Sequence, residues 1–132
     1  MSHRALRIGL AALTVIGLTA TAAPAASADA SEASNACRKG EFCLFSRPHQ
    51  TGQVLYRLDA KVTKTGFNFP EADSLDPVIK PLSAHNPIPD SFGCIVRLND
   101  QPHFAGSEQE ISGSGDKELT GAPVASITPD CG

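Results

Sequence analysis

The hydrophobic pattern divides the chain into one continuous apolar run near the N-terminus and a series of short alternating stretches after it. Residues Ile8 to Leu18 form a run of eleven without a charge, behind Arg4 and Arg7 and ahead of Ala26-Ser27-Ala28. A positive start, an apolar core and a small-x-small site are the marks of a cleaved export signal, so residues 1–28 are expected to be removed after Ala28. The core is too short for a membrane anchor, which needs roughly 20 apolar residues, and no membrane association is expected after cleavage. Residues 29–35 are small and polar and predict a disordered tail.

From residue 36 onward, apolar side chains recur at every second position. Phe42 and Leu44, then Val96 and Leu98, show the period of a strand with one buried face. Val54-Leu55-Tyr56-Arg57-Leu58 predicts a further strand, and a more polar stretch runs to Ile111. Turn-rich breaks fall at Lys64 to Asn68 and at Ser112 to Asp116. No helical period of useful length occurs after the export signal.

The alternating stretches repeat. With a shift of 54 residues, Phe42 to Gly52 falls on Val96 to Gly106, so that Pro48, His49 and Gly52 meet Pro102, His103 and Gly106. Proline opens a tight turn, and the glycine supplies a backbone angle that a Cβ would oppose. Two similar strand-and-hairpin units predict an all-β sandwich of two Greek keys. The expected units are residues 37–80 and 93–132, joined by a proline-rich segment within one domain spanning 36–132.

Cleavage of the signal would remove two of the 11 basic residues and none of the 14 acidic ones, which leaves a formal charge of -5. An acidic surface without a basic run lacks the electrostatic footprint of nucleic-acid binding. The domain is small enough to gain from cross-links, and Cys37, Cys43, Cys94 and Cys131 are an even set suited to an oxidising compartment. Their spacings contain no CxxC pair, against a zinc site. With two units, the simplest pairing puts one disulfide in each: Cys37–Cys43 and Cys94–Cys131. Loops of about 7 and 38 residues correspond to roughly 2.4 and 3.9 kcal/mol in the chain-entropy account.

Chemistry-bearing motifs are absent: no GxSxG elbow, HExxH or phosphate-binding loop occurs. His49 and His103 hold equivalent places in the two hairpins, which reads as turn geometry rather than an active site, and no catalytic activity or cofactor is expected. The chain has no Trp and a single Tyr, against a sugar-stacking surface.

The stretch Cys37-Arg38-Lys39-Gly40-Glu41-Phe42-Cys43-Leu44-Phe45, with Gly52 seven residues later, resembles the opening of the Streptomyces metalloproteinase inhibitor family. That resemblance covers about residues 36–131 and implies a βγ-crystallin-like fold, in which an aromatic followed seven residues later by glycine marks the folded hairpin. Phe45 and Gly52 fill this pattern in the first unit; Phe104 and Gly106 belong to the second hairpin, with Asn99 in place of the aromatic. Ser126 resembles the serine that pins the hairpin. Many βγ-crystallin domains bind calcium through two adjacent Asn/Asp residues followed, two positions on, by Ser/Thr-Ser; neither half carries that order. A weak site at Asp73 or Asp76 is the alternative weighed, with a solvated acidic turn expected.

The resemblance implies a secreted, extracellular, monomeric inhibitor of peptidases, with metallopeptidases among the target classes and a protein as partner. The family's second short cysteine loop is missing here. The candidate inhibitory loop is therefore sought in the proline-rich segment Lys80 to Asp90, where stiffness lowers the entropy lost on binding, with Leu82, Ser83, Ala84, His85 and Asn86 at its tip. A killer-toxin-like antimicrobial protein and a calcium-stabilised extracellular structural protein are the alternatives.

Overall fold

The computed structural model describes residues 36–132; the expected signal peptide and tail lie outside the described residues. Seven strands form two antiparallel sheets: β1 Glu41–Phe45, β2 Val54–Asp59, β3 Ser83–Asn86, β4 Cys94–Asn99, β5 Glu108–Ser112, β6 Gly115–Glu118 and β7 Ser126–Cys131. A short 3-10 turn at Asp90–Phe92 precedes β4. The first sheet runs β2-β1-β3-β6 and the second β5-β4-β7.

This order exchanges strands between the two halves. β6 follows β5 in sequence but leaves that sheet to pair with β3, aligning Ala84 with Lys117 and Asn86 with Gly115. In return, Ala72 of the first half bridges Ile127, and Ile79 bridges Val124. The turn that carries the chain across lies at Gly113-Ser114, where Asp90 Oδ1 accepts the Ser114 N–H at 2.6 Å. The break expected from Ser112 to Asp116 is thus a crossover between sheets.

Between the sheets lies a core of Phe42, Leu44, Phe69, Ile88, Val96, Leu98, Ile111, Val124 and Ile127. Phe42 meets Phe69 edge-on at 5.1 Å between ring centres, a geometry that adds to area burial. The alternation read in β4 holds, since Val96 and Leu98 face inward. β1 departs from it: all five of its residues are buried. Its outward side chains Glu41, Cys43 and Phe45 are covered by the N-terminal loop and the first hairpin, a second cover that the alternation alone does not reveal.

Both disulfides join the expected partners, Cys37 to Cys43 and Cys94 to Cys131. Cys94 and Cys131 oppose each other directly in the β4–β7 ladder, so the second bridge ties down the last strand.

Residues 82–86 are not the expected exposed loop. Ser83–Asn86 is β3, an interior strand between β1 and β6, and Ser83, Ala84 and Asn86 are buried. The backbone of Leu82 is fixed as well, donating to Phe45 O and accepting from Leu119 N. A strand with neighbours on both sides has its backbone groups committed and cannot lie in a peptidase cleft. The first unit therefore extends through β3, and the proline-rich segment is part of it rather than a linker.

Candidate functional site

The two hairpins are built alike. His49 and Gln50 in the first, and His103 and Phe104 in the second, take left-handed backbone angles, with φ between 54° and 59°. Each hairpin then needs a glycine with positive φ: a Cβ on Gly52 would stand 2.6 Å from Ser46 Oγ, and one on Gly106 would strike the Asp100 carboxylate. Those same side chains accept matching backbone bonds, Gln53 N–H to Ser46 Oγ and Ser107 N–H to Asp100 Oδ1, both at 2.8 Å.

A buried serine fastens each hairpin. Ser126 Oγ donates to Gln101 O at 2.7 Å and accepts from Phe104 N at 3.0 Å. Ser83 makes the equivalent pair in the first hairpin, donating to Arg47 O at 2.6 Å and accepting from Gln50 N at 2.9 Å. Sequence reasoning found Ser126 and missed this role for Ser83. Eleven more residues separate Gly52 from Ser83 than Gly106 from Ser126, so the repeat shift that aligns the hairpins passes over it.

The outer face of the first sheet carries the polar chemistry. Cross-strand register places Arg57, Cys43, His85 and Asp116 in one row across four strands, and Phe45, Ser83 and Glu118 in the next. His85 Nδ1 lies 2.7 Å from Asp116 Oδ1, which fixes the ring and turns its other nitrogen away from the carboxylate. His49 approaches Glu118 at 3.3 Å, with its backbone N–H also on that carboxylate. His103 sits beside Asp73 at 3.5 Å. Among the described residues, no serine hydroxyl bonds to a histidine; the imidazoles serve carboxylates instead.

Beside this face, the Cys37–Cys43 disulfide closes a short turn. Glu41 N–H donates to Arg38 O at 3.0 Å, and the Glu41 carboxylate accepts Arg38 N–H at 2.8 Å. Arg57 holds Glu41 in place at 3.5 Å and reaches Ala36 O at 2.8 Å. Arg38 and Lys39 project from this clamped turn and are exposed. Cys37, Glu41 and Cys43 cluster closely enough to suggest metal ligands, but both sulfurs are spent in the disulfide.

Two cavities flank His85. One of about 310 Å³ is lined by Ala36, Cys37, Phe45, Gln50, His85 and Asp116. The other, about 570 Å³, lies across the end of the sheet where β1 and β6 begin and β2 and β3 finish. Charge is unevenly shared around them. Residues 36–88 hold seven Lys/Arg against five Asp/Glu, whereas 89–132 hold two against seven. In that acidic half Arg97 bridges Glu108, Glu110 and Asp130, and the bonds to Glu108 and Asp130 raise its pKa.

The positions that would carry calcium ligands are now defined by the two serines. Val78-Ile79 precede Ser83 and Gly121-Ala122 precede Ser126, and none of these has a carboxylate. Asp73 and Asp76 are exposed, and Asp73 is engaged with His103.

No family model matches the chain, and no curated protein matches it. Among solved structures it is similar to a protein described as "IPSE alpha-1, an IgE-binding crystallin", at 15% identity and a TM-score of 0.50, over 72% of this chain and 85% of that one. At that identity the likeness speaks to fold and not to the metalloproteinase inhibitor family. Exchanged strands, paired hairpins and this likeness together give the chain a crystallin-like, all-β fold with two disulfides.

Proposed function

We propose that the protein is an exported inhibitor of an extracellular peptidase that acts by surface recognition rather than by chemistry of its own. The observation that carries this reading is the disulfide-closed turn Arg38-Lys39-Gly40-Glu41, clamped by its own carboxylate and by Arg57. A loop fixed before binding loses little conformational entropy when a partner grips it. Its exposed basic pair suits a peptidase whose cleft is lined with acidic groups, and electrostatic complementarity of this kind favours encounter and register. Two disulfides are consistent with an extracellular setting. The resemblance of residues 37–45 to the metalloproteinase inhibitor family supports the peptidase class, and the neighbour's description as an IgE-binding crystallin supports protein recognition on such a scaffold. The inhibitory contact moves from Leu82–Asn86, which is interior strand, to Arg38 and Lys39.

The test is titration of purified, disulfide-bonded protein against a panel of metallo-, serine and cysteine peptidases. Stoichiometric inhibition of at least one, weakened tenfold or more by the double variant Arg38→Ala/Lys39→Ala, is expected. No inhibition across the panel, or inhibition indifferent to that variant, would overturn the reading.

A further inference from the structure

We propose that the cavity across the end of the first sheet is a binding site for a small oxyanion, held between Lys39 and Lys61. Its walls come from all four strand ends: Lys39 and Gly40 before β1, Asp59 and Lys61 at the finish of β2, His85 and Asn86 in β3, and Gly115 opening β6. Its volume of about 570 Å³ is within the range of small-molecule sites.

Two lysines from separate segments reach one cavity, and neither makes an ion pair among the described residues. Lysine ammonium groups donate charge-assisted N–H bonds to an oxyanion, and the two lysines outnumber the one carboxylate of the lining, Asp59. Asp59 is turned onto the chain, its Oδ1 accepting the backbone N–H of Lys61 at 2.9 Å. Asp116 is outside the lining, against His85 at 2.7 Å.

The wall itself is open. Gly40 and Gly115 have φ of 84° and 85°, and a Cβ built on either would meet nothing within 4 Å. Bare backbone thus faces the space at two places along this end of the sheet, giving a ligand close access. Most of the lining belongs to residues 36–88, where basic residues outnumber acidic ones, while Ser114 and Gly115 come from the acidic remainder.

The shared chemistry is an oxyanion with two or more acceptor oxygens, from inorganic phosphate or from the carboxylate of an acidic sugar. The experiment is an NMR titration of the purified protein with sodium phosphate and, separately, with sodium glucuronate, against sodium chloride at equal ionic strength. Saturable shifts confined to Lys39, Gly40, Lys61 and Gly115 are expected with one of the two, and the more tightly bound one identifies the source. The double variant Lys39→Gln/Lys61→Gln should weaken binding at least tenfold, while Lys64→Gln, outside the cavity, leaves it unchanged. Shifts matched by chloride, or insensitive to the double variant, would overturn the proposal. The site does not rest on the peptidase reading: Lys61→Gln alone should lower anion binding and spare inhibition.

Discussion

Ser83 and Ser126 occupy matching places beneath two different hairpins, each hydroxyl bonded at once to a carbonyl at the hairpin's start and an amide at its bend. Both are fully buried, and both sit at the first residue of a strand, β3 and β7. Replacing either by alanine leaves a buried donor and acceptor unmet, and the expected loss is about 1–3 kcal/mol each. Urea unfolding of Ser83→Ala and Ser126→Ala checks this; similar losses are expected from the two despite their different neighbours in sequence.

The glycines that finish the hairpins are expected to tolerate no side chain. Gly106→Ala combines a left-handed backbone with a clash against Asp100, and should cost more than the ~1 kcal/mol of the backbone conformation alone. Thermal unfolding of Gly106→Ala and of the double variant Gly106→Ala/Asp100→Ala separates the two parts: relief in the double variant assigns the excess to the clash.

Removing the Cys94–Cys131 bridge should destabilise more than removing Cys37–Cys43, because it closes the longer loop and holds the terminal strand. Losses of about 2–5 kcal/mol are typical for a native disulfide in a small domain. Equilibrium unfolding of Cys94→Ala/Cys131→Ala and Cys37→Ala/Cys43→Ala tests the order. Equal losses would show that loop length does not govern here.

Asp90 links the crossover turn to acid stability. Its pKa is lowered chiefly by the backbone N–H of Ser114, with its side chain and then Lys117 contributing less. A carboxylate whose folded pKa lies below its unfolded value stabilises above the unfolded value, and that contribution disappears as pH falls through the folded one. The wild-type melting temperature should therefore fall more steeply than that of Asp90→Asn on acidification below the ordinary value of 3.8. Parallel curves would show that the Ser114 contact carries no net linkage.

The hairpins were legible in the sequence because their constraints are local. Pro48, His49 and Gly52 recur at one fixed offset in Pro102, His103 and Gly106, and each acts within its own turn. The pairing of cysteines followed from the same two-unit division. What stayed hidden was set by distant partners. The segment from Leu82 to Asn86, rich in flanking prolines, reads as a stiff loop until β1 and β6 are placed on either side of it. The exchange of β6 leaves no trace in periodicity, since Gly115–Glu118 is short and carries no apolar side chain. The same holds for the end of that sheet, where Lys39 and Lys61 come to line one cavity only through folding.

The traded strands also govern how the molecule can be made. The first sheet lacks its fourth member until Glu118 has been synthesised, and β7, which receives the bridge from Ala72, comes later still. A nascent chain halted midway has no finished half to settle into. Assembly thus waits on β6 and β7, which complete sheets begun far earlier in the chain.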